Sequence, residues 1–160
     1  MRTQKIVAIT ILLGALICLQ AESVTAQADT GNGGNLGVGF MAGEPTGVSV
    51  KAWNNDRSAF VIGAAWSLSG RHEALHMHLD YLQHSWFDDV DEGSLGFYYG
   101  IGGRAIFTED AMIGIRIPLG LTYVFGSIPF DIFVEAVPIL DLTPDTELAG
   151  NGAFGIRYYF

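Results

Sequence analysis

The sequence predicts an all-β fold, an eight-stranded antiparallel up-and-down transmembrane β-barrel. Three observations predict it. Apolar residues are dispersed by alternation along residues 36–160 rather than gathered into spans, although the mean hydropathy is positive at +0.32. Every charge inside an alternating run falls on one parity. The last segment sets Phe154, Ile156, Tyr158 and Phe160 on one face and Gly155, Arg157 and Tyr159 on the other. Lipid outside, a polar interior and an aromatic at the interface ask for that pattern in a closing strand.

The elements follow in chain order. Residues 1–26 read as a signal peptide, with Arg2 and Lys5 ahead of the apolar run Ile6–Leu19. That run is shorter than the roughly 20 residues a spanning helix needs. Small-residue sites at Val24-Thr25-Ala26 and Ala26-Gln27-Ala28 place cleavage after Ala26 or Ala28. Cys18 sits late in the run, but Ile17 before it is too bulky for lipidation. Cleavage removes the one cysteine and leaves six basic against sixteen acidic side chains, a net charge of −10. A disulfide-stapled fold is thereby excluded, and so is nucleic acid as a partner. The length allows one domain. Residues 27–35, with Gly31-Asn32-Gly33-Gly34-Asn35, form a flexible lead-in to a barrel over residues 36–160.

Eight period-two runs follow: Leu36–Ala42, Val48–Trp53, Ala59–Leu68, Leu75–His84, Leu95–Phe107, Met112–Val124, Phe130–Val137 and Gly152–Phe160. Turn-forming groups separate them, among them Glu44-Pro45-Thr46-Gly47, Asn54-Asn55-Asp56-Arg57, Ser69-Gly70-Arg71-His72-Glu73 and Gly126-Ser127-Ile128-Pro129. An even number of antiparallel strands puts both termini on the periplasmic side.

One face of the runs carries Phe40, Ile62, Leu79, Ile101, Ile115, Leu121, Ile132 and Phe154 and no charge. The other carries Lys51, Asp80, Arg104, Arg116, Asp131, Glu135 and Arg157. A charge facing lipid costs about 2–4 kcal/mol at mid-bilayer, so a membrane barrel segregates its charges in this way. A soluble barrel would invert the arrangement, greasy within and charged without. The mixed face is also rich in small residues such as Gly37, Gly63, Ala65, Gly102 and Gly120, which suit a narrow lumen.

The lumenal charges are nearly balanced, four basic against three acidic, so they are expected to pair and fill the interior. His76 and His78 join this polar set, because they share parity with Asp80 and His84 on the fourth run. Two histidines about 6–7 Å apart on one strand suit a shared metal or proton. No third ligand is evident, His84 lies too far along the strand to join, and no metal or other cofactor is assigned. Ser49, Ser67, Ser69 and Ser85 are candidate nucleophiles for His84, yet no motif assembles them, so no catalytic residue is assigned. His84 itself reads as an interfacial polar residue beside Trp86. Two loops are long, Ser85–Ser94 and Pro138–Leu148. The Asp88-Asp89-Val90-Asp91-Glu92 cluster in the first lacks the spacing of a calcium loop and reads as a solvated turn.

Several segments together resemble a family of small, uncharacterised bacterial outer-membrane barrels. They are Gly43-Glu44-Pro45-Thr46-Gly47-Val48-Ser49-Val50-Lys51 with Trp53, Tyr99-Gly100-Ile101-Gly102-Gly103-Arg104, Ile115-Arg116-Ile117-Pro118-Leu119-Gly120, and Gly155-Ile156-Arg157-Tyr158-Tyr159-Phe160. The resemblance implies the eight-stranded barrel and carries over no activity. The expected role is structural, or ligand- or partner-binding, in the outer membrane. Lipid, lipopolysaccharide and the barrel-assembly machinery are the expected partners, the last through the strand ending at Phe160. The alternatives are an enzyme modifying outer-membrane lipid or lipopolysaccharide near strand four, and a narrow channel for small solutes.

Overall fold

The computed structural model describes residues 34–44, 46–67, 74–87, 92–107 and 111–160. The expected signal peptide, Gly31-Asn32-Gly33 of the lead-in, Pro45, the turn containing Ser69 and Asp88–Asp91 lie outside the described residues.

Alternation of large apolar and small or polar residues gives nine strands: β1 (Leu36–Gly43), β2 (Gly47–Asn55), β3 (Ser58–Ser67), β4 (Ala74–Trp86), β5 (Gly93–Phe107), β6 (Met112–Arg116), β7 (Leu119–Phe125), β8 (Phe130–Thr143) and β9 (Glu147–Tyr159). All pair antiparallel in one sheet, and β9 returns to β1, so the sheet closes in a ring. The single run expected at Met112–Val124 is two strands. Pro118 supplies no N–H to the ladder, and the strand breaks at Ile117-Pro118. Both pieces still lie between β5 and β8, end to end, so nine strands occupy eight positions around the ring. Ile117 N donates to Pro138 O at 3.0 Å and Gly100 N to Pro118 O at 2.9 Å, which carries the ladder across the break.

Pro138–Leu148 is not a loop. β8 and β9 continue through it, pairing Pro138 with Gly150 and Asp141 with Glu147, and only Pro144–Thr146 turns. Pro138 fits because the pairing with Gly150 asks no N–H of it toward β9; its carbonyl faces the other way, to Ile117. Ser85 and Trp86 likewise belong to β4, opposite Phe97 and Gly96.

Following the pairing once round the ring from Val38, through Val50, Ile62, Leu79, Gly103, Ile115 and Leu140, arrives at Leu148. Val38 itself pairs with Tyr158, so the strands are staggered by ten residues per circuit. Stagger of this kind tilts the strands and opens space for inward side chains.

The two faces differ as the parity requires. Phe40, Ile62, Leu79, Ile101, Ile115, Leu121, Ile132 and Phe154 are exposed on the outside. Lys51, Asp80, Arg116, Asp131 and Arg157 are buried inside. The ring thus buries its charges and exposes its apolar side chains, the reverse of a water-soluble core.

Candidate functional site

Inward parity gathers the charged side chains of six strands into three connected groups stacked along the ring. The lower group, near the Asn55–Ser58 turn, centres on Asp131 of β8, which is 0% exposed. Arg157 of β9 donates to it from Nε at 2.9 Å and from Nη2 at 2.9 Å, and Tyr159 Oη donates at 2.8 Å. Lys51 Nζ of β2 adds an ion pair at 3.7 Å. Arg157 also reaches Ser49 Oγ at 3.4 Å and lies 4.1 Å from the centre of the Phe133 ring. One carboxylate thereby ties β2, β8 and β9 together across the seam where the chain's first and last strands meet.

Lys51 is the second node of this group. Its Nζ lies 3.0 Å from His84 Nε2 and 3.9 Å over the Trp53 ring. Lys51 can only donate, so His84 Nε2 accepts, and its Nδ1 carries the hydrogen that reaches Arg57 O at 3.3 Å. His84 is buried, stacked on Trp86 at 5.7 Å and tilted against Trp53 at 4.4 Å. His84 lies beside Trp86, on the inward parity it shares with Asp80, and is hydrogen-bonded into the interior network. Asn55 Oδ1 accepts from the N–H groups of Arg57 and Ser58, both at 2.9 Å, and fixes the turn that presents the Arg57 carbonyl.

The middle group runs across the ring. Arg116 of β6 donates from Nε to Asp80 of β4 at 3.0 Å and pairs through Nη2 with Glu135 of β8 at 3.6 Å. Tyr98 Oη of β5 donates to the second Glu135 oxygen at 3.0 Å. His78 Nε2 lies 3.8 Å from Asp80 Oδ2. Gly63 and Gly102 make room here, since a Cβ at either position would run into the His78 ring or the Asp80 carboxylate. The upper group is one ion pair, in which Arg104 of β5 grips both oxygens of Asp141 on β8, with Nε at 2.9 Å.

Lys51, Asp80, Arg104, Arg116, Asp131, Glu135 and Arg157 share the inward parity, and each takes part in an ion pair. His78 and Asp80 come together, whereas His76 is half-buried near the upper end, between Ala65 and Ile106 of the neighbouring strands. Among the described residues, no three His, Cys, Asp or Glu side chains converge in a metal-binding arrangement. Among the described residues His84 is engaged by Lys51 and Arg57, and Ser85 points outward; Ser69 lies outside the described residues.

Sequence reasoning missed Asp141, Tyr98, Tyr159, Ser49 and Thr122, whose Oγ1 donates to Asp131 Oδ2 at 3.5 Å, as members of the network. Parity was the available signal: Asp141 shares the phase of Asp131 and Glu135, and Tyr159 that of Arg157. Asp141 falls within Pro138–Leu148, a segment that reads as a loop in the sequence.

What the arrangement does chemically is brace. Buried charge is costly unless paired and hydrogen-bonded. Arg157–Asp131 and Arg116–Glu135 join adjacent strands, whereas Lys51–Asp131, Arg116–Asp80 and Arg104–Asp141 reach past at least one intervening strand. An open groove of about 850 Å³, bordered by the outward Phe40, Leu121, Ile132, Val134, Phe154 and Ile156, is apolar and lies apart from these charges. The chain matches no family model, no curated protein and no solved structure.

Proposed function

We propose that the protein is a small integral outer-membrane β-barrel with a side-chain-filled polar lumen, serving the cell envelope as a structural or partner-binding element. The observation that carries this reading is the inversion of polarity, with Phe40, Ile101 and Phe154 at least 62% exposed outside a ring whose Lys51 and Asp131 are 0% exposed. In water the outer face would be a large apolar patch, and hydrocarbon is the solvent that removes that cost. Both chain ends then belong to the periplasmic side, and lipid and lipopolysaccharide surround the belt. Resemblance to the small uncharacterised outer-membrane barrels points the same way.

The paired interior favours this role over a narrow channel, because the groups that would line a passage hold one another. It also favours it over a lipid-modifying enzyme, since a nucleophile needs a base within hydrogen-bond reach and His84 is already engaged. Gel migration of protein refolded in detergent, boiled and unboiled, tests the barrel. A faster unboiled band is expected, and identical migration overturns the reading. Replacing His76, His78 and Asp80 with alanine tests the enzyme alternative. The host's lipid A profile is expected to stay unchanged, and an altered profile from an intact barrel would reverse the choice.

A further inference from the structure

The wall of the ring is notched above the β1–β2 turn. β1 ends where Gly43 pairs with Ala153, yet β9 continues beyond that point from Gly152 to Glu147, paired among the described residues with β8 alone. On the other flank β3 and β4 pair on to Ser67 and Ala74, two residues past the last β2 partner at Ala65. A stagger of ten residues over eight positions accounts for little more than one residue per step, so strand tilt does not explain an overhang of six. By the rise of an extended chain, the bare length of β9 is about 20 Å.

Gly43, Glu44 and Thr46 set the floor of this notch. Thr46 Oγ1 accepts from Gly43 N at 3.1 Å and donates to Gly43 O at 2.8 Å, which closes the turn early. Gly43 has a φ of +130°, a conformation that favours glycine, and a Cβ there would meet the Gly152 carbonyl. Glu44 N donates to that carbonyl at 2.9 Å and makes the last bond between the turn and β9.

Above this bond the edge of β9 presents backbone. Gly152 O faces the notch, and alternate strand residues face the same side, so the N–H and C=O of Gly150 and Leu148 face it too. Among the described residues no strand pairs with them there. Proteins usually guard such edges with charged or bulky side chains or with proline. Here Gly150 has nothing within 4 Å of where its Cβ would be, and the neighbouring Leu148 is 81% exposed.

We propose that the β9 edge from Glu147 to Gly152 is an interaction surface that accepts an extended segment of a partner protein by strand addition. Alternating N–H and C=O groups are matched by another strand's backbone and not by an acyl chain. The incoming strand runs antiparallel to β9 on the line of β1. Its outward residues are apolar, continuing Leu142 and Leu148, and its inward residues are small and polar beside Ala149 and Asn151. Exposed Glu44, Asp145 and Glu147 flank the edge and favour basic residues at the ends of the segment.

The probe is a synthetic peptide, Lys-Val-Thr-Val-Thr-Val-Lys, added to isotope-labelled full-length protein refolded in detergent, with amide exchange read residue by residue. Exchange at Leu148 and Gly150 is expected to slow about fivefold to tenfold, the worth of one ladder bond. A peptide N-methylated on its bonding face is expected to have no effect, and Asp145→Lys with Glu147→Lys to weaken the response. Gly150→Pro removes an edge donor without touching the β8 ladder and is expected to abolish protection at Leu148. Unchanged exchange at millimolar peptide, or equal protection by the methylated form, would overturn the proposal. So would slow exchange already present in detergent alone, which would assign the notch to acyl chains.

Discussion

The two ends of the interior are built differently. At the lower end Asp131 receives Arg157, Tyr159 and Lys51, while Trp53, His84 and Tyr98 surround Lys51 and Trp86 stacks on His84. At the upper end the charges form one ion pair, Arg104–Asp141. The difference follows the seam. Where β1, β9 and β8 must close the ring, polar contacts are concentrated on a few atoms and every partner depends on the rest. Where the wall is already notched, the interior is held by a pair that can be removed without stranding others. The lower end therefore carries the stability of closure, and the upper end is left free to differ.

The largest expected effect tests that claim at its hub. Asp131→Ala leaves Arg157 and Lys51 buried without their carboxylate and is expected to cost about 3–5 kcal/mol. Urea unfolding of the detergent-refolded protein, followed by tryptophan fluorescence, measures it. A loss below that of an upper-end variant would show that closure does not depend on this group. Tyr159→Phe removes only the Oη donor to Asp131, at 2.8 Å, and is expected to cost about 1.5–3 kcal/mol in the same assay. If Tyr159→Phe is neutral, the hydrogen bond adds nothing beyond the packing of its ring.

The same contrast separates what could be read in the sequence from what could not. Alternation revealed the two faces, because strand side chains obey parity wherever a ladder is regular. Seven interior charges, from Lys51 to Arg157, were placed by that rule alone. It failed at prolines. Pro118 splits one run into β6 and β7, and Pro138 sits inside β8, because the ladder needs no N–H from it toward Gly150. A sequence shows that proline lacks a donor but not which way that missing donor would have pointed. Pair identities were equally hidden. Nothing in Arg116 says that it takes Asp80 and Glu135 while Arg157 takes Asp131; register and a ten-residue stagger decide it.

The smallest expected effect sharpens the comparison most. Arg104→Met alone leaves Asp141 with its carboxylate buried, and about 1–3 kcal/mol is expected to be lost. Arg104→Met with Asp141→Leu removes both charges and fills the space with apolar volume, the exchange that often proves neutral for isolated buried pairs. The double variant is accordingly expected within about 1 kcal/mol of the parent. The equivalent exchange at the lower end cannot behave this way. Removing Asp131 and Arg157 together would still leave Lys51 and the Tyr159 hydroxyl without the oxygen they share. A double variant at the upper end that stays as unstable as its single variant would mean that Arg104 and Asp141 also brace the ring.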